Sequence, residues 1–340
     1  MPAIMFRCNA GHTTGYGHVS RCLSLANALS GQDNIQISFV LDCGDAAKKV
    51  VDMGFGVHIL SADRDESFRL LTEEQKPDIL ILDARPAHNV AILRKIKQYV
   101  HFIADLDDTS DQRFAADVVY LPPAPAVQRL DWQDFSGVRR IGFHWILTGG
   151  NFLPPPYRKP TPPYHVLMTM GGSDPWNYTQ KYAPLFAEIC KRENMVFAVV
   201  IGPGFAARED LAQSFRNLPY PPQIFDNPGD MGKVYDWCDI ALAPTSVSAY
   251  ELAMSCKKCL YLCPDEKYRE YGMVFEQSGL GKVLDLPDAN LCASVQSQVR
   301  AFIQAIHEPA LTPDVVKKIF VSAPAKFIAN DILTLWKQKR

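Results

Sequence analysis

Short apolar segments alternate along the chain with longer segments whose apolar positions recur at helical spacing. In the first half, the apolar segments are AIMFRC, IQISFVLD, VHIL, DILILD, HFIADL and DVVYL. Helical spacing covers residues 17–29, 46–53, 67–75 and 90–98. Strands that alternate with helices pair in parallel, so this pattern predicts a sheet with helices on both faces.

The second half repeats the alternation after a break in composition. Residues 149–164 read GGNFLPPPYRKPTPPY, and the six prolines predict a stiff connector without regular structure. The apolar segments that follow are HVLMTMG, FAVVIG, PQIF, DIALAP and CLYLC, with helical spacing over 179–191, 207–217, 231–237 and 248–255. We predict an α/β chain of two Rossmann-like, doubly wound parallel-sheet domains with a ligand cleft between them.

The domain boundaries follow from the same pattern. We assign residues 1–148 to a first domain on the sugar and catalytic side, 149–163 to the linker, and 164–310 to a nucleotide-binding second domain. Residues 311–340 are expected to form a C-terminal helix, over 313–337, that packs back on the first domain.

Composition and charge narrow the class of protein. The formal net charge is −2 and no run of Lys or Arg occurs, which argues against binding to nucleic acid or to an anionic membrane. No apolar stretch is long enough to span a bilayer. The nine cysteines are scattered, as is typical of reduced thiols in the cytoplasm. The sequence leaves the oligomeric state open.

The segment GHTTGYGHVSRCLSLANAL, residues 11–29, carries the first candidate chemistry. Gly15 and Gly17 allow close backbone approach to a ligand, and the start of the following helix favours a negative group. His18 lies in the first helical turn, where an imidazole can act as a general base, and Arg21 follows one turn later. A helix-capping histidine with a structural arginine is the alternative interpretation.

Two further segments lie at predicted strand ends in the second domain. Gly171, Gly172 and Ser173 follow the strand HVLMTM, either as a ligand-binding turn or as an ordinary connection. In PTSVSAYE, the hydroxyls and backbone N–H groups of Thr245, Ser246, Val247 and Ser248 precede or open a helix and would hold a diphosphate. Glu251, one turn on, would accept hydrogen bonds from ribose hydroxyls, or be a helix-face carboxylate.

Acidic residues end two strands of the first domain. Asp83 and Arg85 follow DILIL, and Asp105, Asp107 and Asp108 end or follow HFIADL. Turn and capping roles are usual for such aspartates, and a hard-cation site is the alternative. The spacing of Cys256, Cys259 and Cys263 favours a buried strand over a metal site, since no second pair follows.

These segments together resemble the UDP-sugar hydrolases of the pseudaminic-acid pathway, which are related in fold to the GT-B glycosyltransferases. The resemblance is carried by GYGHVSRCLSLANAL, DILILDAR, IADLDD, GGSD and DMGKVYDWCDIALAPTSVSAYELA. It implies metal-independent cleavage, without a cofactor, of the glycosidic C–O bond of a UDP-linked diacetamido-trideoxy sugar. His18 would activate water, with Arg21 and Asp83 beside it, and Met231 would lie near the base.

The chain also departs from that family's pattern. Arg85 replaces a tyrosine and would pair with a phosphate or a sugar carboxylate. Asn9 replaces an acidic residue, Pro-Thr-Ser at Pro244, Thr245 and Ser246 replaces Gly-Gly-Ser at a helix start, and PDEKYRE replaces an Asn-Gln pair. We therefore keep three hypotheses: a hydrolase, a glycosyltransferase on the same scaffold in which His18 deprotonates an acceptor hydroxyl, and a non-catalytic nucleotide-sugar binding protein.

Overall fold

The structure is a computed structural model that describes residues 2–9, 16–31, 35–61, 63–150, 152, 155–156, 158–263, 265–285, 297–302 and 311–340. The chain forms two compact units. The first consists of Met1–Asn151 together with Phe320–Arg340, and the second of Phe152–Ile319. Gly15 lies outside the described residues.

The first unit is built on a seven-stranded parallel sheet with strand order β3-β2-β1-β4-β5-β6-β7. Its strands are β1 Ala3–Cys8, β2 Gln36–Leu41, β3 Gly56–Ile59, β4 Ile79–Asp83, β5 Phe102–Leu106, β6 Val118–Leu121 and β7 Val138–Ile141. Its helices up to the connector are α1 Gly17–Ser30, α2 Ala47–Asp52, α3 Arg64–Gln75, α4 Val90–Ile96 and α5 Pro125–Gln128. Short 3-10 helices cover Gly44–Ala46, Asp111–Ala115 and Phe143–Trp145.

The order of strands reverses direction between β1 and β4. At such a switch point the connections that leave two neighbouring strands turn to opposite sides of the sheet, which opens a crevice at the carboxyl ends of the strands. The helix α1 follows β1, and Asp83 is the last residue of β4. The predicted residues His18, Arg21 and Asp83 therefore lie beside the switch point of the first sheet.

The second unit has a six-stranded parallel sheet with order β10-β9-β8-β11-β12-β13. Its strands are β8 His165–Thr169, β9 Val196–Ile201, β10 Gln223–Asp226, β11 Ile240–Ala243, β12 Lys258–Cys263 and β13 Gly281–Asp285. Its helices are α6 Tyr178–Arg192, α7 Arg208–Arg216, α8 Met231–Trp237, α9 Val247–Met254, α10 Glu266–Gln277 and α11 Pro313–Ile319, and residues 297–302 are also helical. The switch point lies between β8 and β11, the strands that precede the GGSD and PTSVSAYE segments.

The C-terminal segment differs from the single helix predicted over 313–337. Two helices form, α11 and α12 Pro324–Lys339, because proline disfavours helical backbone in the residue before it. Ala323 is accordingly non-helical, with φ −141° and ψ 72°. The helix α12 belongs to the first unit, where Asp331 accepts hydrogen bonds from Tyr120 (2.8 Å) and from Arg140 (2.7 and 2.9 Å).

The fold class predicted from the apolar pattern, two Rossmann-like parallel-sheet domains, is confirmed. The pattern missed β7 and β13. In β7 half-buried and exposed positions alternate through VRRI, and the strand lies at the edge of its sheet, where fewer apolar side chains are needed. Within the described parts of the chain, no helix has the length and apolar character to cross a membrane.

Candidate active site

His18, Arg21 and Asp83 form one hydrogen-bonded group in the first domain. Asp83 points to the face of the sheet that α1 covers, the same face as Ile79 and Ile81. The Nδ1 atom of His18 lies 2.7 Å from Oδ1 of Asp83. Arg21 donates to both carboxylate oxygens, with Nε 2.6 Å from Oδ2 and Nη2 2.5 Å from Oδ1.

The arginine determines the charge of this buried carboxylate. Burial by itself raises the pKa of Asp83, but the charges of Arg21 and His18 and their hydrogen bonds outweigh it and hold that pKa well below its usual range. An ionised Asp83 accepts a hydrogen bond and cannot donate one. Nη2 of Arg21 lies 3.2 Å from Nδ1 of His18, but the 2.7 Å contact of that nitrogen with Asp83 is shorter. The carboxylate therefore favours the tautomer of His18 that carries a proton on Nδ1, which leaves Nε2 as the proton acceptor.

A second carboxylate, Asp107, holds the other side of Arg21. Nη1 of Arg21 lies 2.9 Å from Oδ2 of Asp107, whose backbone is left-handed at φ 55°. Burial lowers the pKa of Arg21, but the charges of Asp83 and Asp107 reverse the effect and raise it well above its usual value. Arg85 donates to the backbone oxygen of Asp107, and its side chain is 52% exposed. Asp83, Arg21, Asp107 and Arg85 thus form a connected network of charged side chains.

The other two predicted aspartates have structural partners. Asp105 is buried and accepts from Nε2 of Gln112 at 2.8 Å, and burial together with the charge of Asp108 raises the pKa of Asp105 well above its usual range. Asp108 accepts from the backbone N–H of Ser110 at 2.7 Å, which closes a turn. The side chain of Asp105 points into the sheet face opposite Asp83. The described residues contain no cluster of three or more potential metal ligands.

Asn9 fixes the loop that carries Arg85. Its Oδ1 accepts from the backbone N–H of Arg85 at 2.8 Å, and its Nδ2 donates to the backbone oxygen of the same residue at 2.7 Å and to the carboxylate of Asp42. Only an amide can donate and accept in this way. The two departures noted in the sequence, Asn9 and Arg85, are therefore structurally coupled.

A buried polar network on the other face of the first sheet was not predicted. Arg7 is fully buried, and its Nε lies 2.9 Å from Nε2 of His88, whose Nδ1 lies 2.5 Å from the carboxylate of Asp65. Arg7 also pairs with Asp42. An arginine inside the apolar segment AIMFRC was the available signal, since a buried charge requires a partner. The partners lie too far along the chain to be inferred from spacing.

In the second domain, Thr245 and Ser246 present buried hydroxyls at the start of α9. Ser246 is the residue before the helix, with extended backbone and no hydrogen bond from its side chain to the first turn. Thr245 Oγ1 and Ser246 Oγ are buried and have no hydrogen-bond partner among the described residues. Val247 and Ser248 open the helix, where backbone N–H groups are directed outward. Unpaired hydroxyls beside a helix N-terminus suit the oxygens of an anion.

Glu251 lies one turn into α9 and is nearly buried, with 9% of its surface exposed. Its Oε2 accepts a hydrogen bond of 3.0 Å from Tyr235 in α8. Burial, then the charge of Glu251, raises the pKa of Tyr235 well above its usual value, so the phenol remains a donor. Met231 begins α8 and lies one turn before Tyr235, on the same side of that helix. Tyr235, which positions Glu251, was missed in the sequence.

The GGSD turn after β8 is tightly packed. Gly171 has φ +77°, and a Cβ on Gly202 would lie 2.5 Å from the backbone oxygen of Gly172. The N–H of Gly204 donates to that oxygen at 2.8 Å. Asp174 caps α6 by accepting from the N–H groups of Tyr178 and Thr179, at 2.9 and 2.7 Å. The turn, with Ser173 inside it, is therefore a fixed backbone surface beside β11.

Comparisons with known proteins bear on the fold. No protein-family model matches the chain, and neither does any curated protein sequence. Solved structures do match over nearly the full length. The spinosyn forosaminyltransferase is 12% identical, with a TM-score of 0.68, over 99% of both chains. The glycotransferase of kitacinnamycin is 12% identical, with a TM-score of 0.66, over 98% of this chain and 100% of that one.

A third structure is the UDP-GlcNAc 2-epimerase from Methanocaldococcus jannaschii. It is 9% identical, with a TM-score of 0.62, over 98% of this chain and 99% of the epimerase. At such low identity the likeness concerns the fold alone. The fold is GT-B-like, with two Rossmann-like domains.

Proposed function

We propose that this chain is an enzyme that hydrolyses a UDP-linked diacetamido-trideoxyhexose, releasing UDP and the free amino-deoxy sugar for nonulosonic acid synthesis in the cytoplasm. The observation that carries the proposal is the contact between His18 and Asp83, 2.7 Å long and fixed by Arg21. A histidine oriented by an ionised carboxylate is a competent general base.

The reaction has one displacement step. The basic Nε2 of His18 takes a proton from water, and the water oxygen bonds to the anomeric carbon of the sugar. The bond between that carbon and the β-phosphate oxygen breaks, and UDP leaves as an anion. This reaction requires a general base, a positioned water and hydrogen-bond donors to the diphosphate.

The second domain supports the nucleotide part of the proposal. The buried hydroxyls of Thr245 and Ser246 and the N–H groups at the start of α9 suit a diphosphate. Glu251, oriented by Tyr235, suits the ribose hydroxyls. Gly171, Gly172 and Ser173 form the neighbouring turn, and Met231 would contact the base. Gly15, Gly17 and Arg85 would complete the sugar side in the first domain.

A glycosyltransferase is the second candidate function. The observation that favours it is the likeness in fold to the spinosyn forosaminyltransferase and the glycotransferase of kitacinnamycin. In this reaction His18 would deprotonate an acceptor hydroxyl in place of water. A non-catalytic nucleotide-sugar binding protein would use the same second-domain residues without turnover.

The test is a time course of UDP release from a panel of UDP-amino-sugars, with EDTA present and no acceptor. The panel includes UDP-2,4-diacetamido-trideoxyhexoses, and His18→Ala is run beside the wild type. The hydrolase predicts release that survives EDTA and is lost in His18→Ala, which still binds UDP. Release only after a sugar or glycan acceptor is added contradicts the hydrolase and supports the transferase. UDP binding without release under either condition supports the binding protein.

A further inference from the structure

We infer that Trp176 and Tyr268 form an aromatic platform for the pyranose ring of the bound nucleotide sugar, an inference that rests on the proposed function. Trp176 lies in the turn between the GGSD segment and α6, and its indole is 43% exposed. Tryptophan is highly buried on average in folded domains, so an indole with this exposure leaves a large apolar surface open to a ligand.

The indole is held in place on both sides. Its ring centroid lies 5.0 Å from that of Tyr268, edge to face at 83°, and 5.8 Å from that of Tyr178, nearly parallel at 25°. Asp174 and Asn177 flank the turn and both have left-handed backbone, at φ 42° and 53°. Asp and Asn adopt this conformation more readily than other residues with a side chain, as is usual in turns. The two ring contacts hold the exposed indole in this position.

The pair of rings lies close to the unpaired hydroxyls. Trp176 follows β8 and Tyr268 follows β12, while Thr245 and Ser246 follow β11, the strand between those two in the sheet. Gly272 is one turn beyond Tyr268 on the same side of α10, and a Cβ there would lie 3.4 Å from Cγ2 of Thr245. The aromatic contact thus spans the loop that carries the proposed diphosphate site.

The order of the sheet indicates which part of the ligand meets these rings. In the proposed function the base lies near Met231, after β10, and the diphosphate lies at the start of α9, after β11. The group that continues beyond the diphosphate, toward Tyr268 after β12, is the sugar. Trp176 follows β8, on the other side of β11, and reaches this position through its ring contact with Tyr268. The C–H face of a pyranose ring is apolar and suits the face of an indole.

The charge of the surroundings also favours a neutral ring over a further phosphate. Asp265 accepts from the N–H of Tyr268 at 3.1 Å, and Asp174 lies at the start of the same turn as Trp176. Both carboxylates contribute, after burial and Tyr182, to a rise in the pKa of Tyr178 to about 12. The exposed carboxylate of Asp265, at the β12 end of the platform, disfavours a further phosphate there and can accept hydrogen bonds from sugar hydroxyls.

The experiment compares binding of UDP with binding of UDP-2,4-diacetamido-trideoxyhexose by calorimetry. The parent is the His18→Ala variant, so that the sugar nucleotide is not consumed. Trp176→Ala and Trp176→Phe are added to it, with Tyr220→Ala as a control, since Tyr220 is another aromatic of this domain that is 43% exposed. Thermal melts check that each variant is folded.

Trp176→Ala is expected to weaken binding of the UDP-sugar by about tenfold and to change UDP affinity by less than about twofold. Trp176→Phe keeps a ring and is expected to restore most of the loss, and Tyr220→Ala should have no effect. An equal loss for UDP and UDP-sugar, or no loss for either, overturns the inference while the proposed function stands. A folded parent that binds neither ligand contradicts the proposed function, and the inference fails with it.

Discussion

Asn9 holds the backbone of Arg85 with both ends of its side-chain amide, accepting from the N–H of Arg85 at 2.8 Å and donating to its C=O at 2.7 Å. This contact joins the end of β1 to the loop after β4, the two strands on either side of the switch point. His18 follows the first of these strands and Asp83 ends the second. Asn9 therefore stabilises the loop next to the proposed base.

The variant Asn9→Asp tests whether the side-chain amide of Asn9 stabilises the fold. The carboxylate cannot donate to Arg85 and would face the carboxylate of Asp42, so the free energy of unfolding should fall by about 1–3 kcal/mol. Urea denaturation measures the change. Asn217→Asp, at an exposed position, is the control and should stay within about 0.5 kcal/mol. Equal stabilities of the Asn9 variant and the wild type would refute this role.

Asp83→Asn tests the orientation of His18. The amide removes the charge that fixes the tautomer, so kcat for UDP release should fall by about 10²–10⁴-fold. UDP affinity should be kept, because the proposed nucleotide residues lie in the other domain. Asp107→Asn leaves the contact between His18 and Asp83 in place and should have a smaller effect. A kcat within a few-fold of wild type in Asp83→Asn would remove Asp83 from the mechanism.

The variant Ser246→Ala tests whether the hydroxyl of Ser246 binds the ligand or stabilises the fold. Because Ser246 Oγ has no partner among the described residues, its loss should leave the melting temperature unchanged and weaken UDP binding by about 1 kcal/mol or more, without effect on uridine. Ser278→Ala is the matched control, since its hydroxyl donates to the oxygen of Val274 at 2.8 Å. That variant should lose stability and keep UDP affinity. A lower melting temperature with unchanged UDP affinity in Ser246→Ala would show that this hydroxyl stabilises the fold and does not bind UDP.

Glu251 can be tested with a modified nucleotide. If the carboxylate accepts from the ribose hydroxyls, Glu251→Ala should weaken UDP binding by about 1–3 kcal/mol. The wild type should also bind UDP more tightly than 2′-deoxy-UDP, and the variant should lose that preference. Wild-type discrimination in Glu251→Ala would show that its carboxylate does not bind the ribose.

His88 predicts a dependence of stability on pH. Burial, together with the charges of Arg7 and Arg64, lowers the pKa of His88 to about 4. In the unfolded chain a histidine has a pKa of about 6.5, so the unfolded state takes up the proton first. This group adds no pH dependence above about 6.5, and it destabilises the fold progressively as the pH falls from about 6.5 to 4, by about 3 kcal/mol in all.

Unfolding of the wild type and of His88→Gln by urea, at pH 7, 6, 5 and 4, measures this contribution. The variant should show a smaller loss of stability over that range, because glutamine does not titrate. Parallel curves for the two proteins would assign the loss to other groups.

The sequence specified the fold better than the contacts within the site. Buried parallel strands are nearly continuous apolar segments, so AIMFRC, DILILD and CLYLC were recognisable without any partner. The edge strand VRRI and the break before Pro324 were missed, since the first is only half-buried and the second depends on one residue. Strand ends were also the basis on which His18, Asp83, Ser246 and Glu251 were predicted as site residues, and that prediction stays to be tested.

What the sequence did not reveal were the pairings between distant residues. Asn9 with Arg85, Arg7 with His88, and Tyr235 with Glu251 are separated by many positions, and no local spacing marks them. Each pairing is produced by tertiary packing, which brings the ends of neighbouring strands or the faces of neighbouring helices together. The place of Asp105 near a strand end likewise does not reveal that its side chain is buried and bonded to Gln112.

The most direct test of the central claim is hydrolysis of UDP-2,4-diacetamido-trideoxyhexose in water enriched in ¹⁸O, with mass spectrometry of both products at short times. Attack of water on the anomeric carbon predicts one ¹⁸O in the freed sugar and none in UDP, at a rate that His18→Ala abolishes. Label in a phosphate of the nucleotide product, or label in the sugar at an unchanged rate in His18→Ala, would contradict the account.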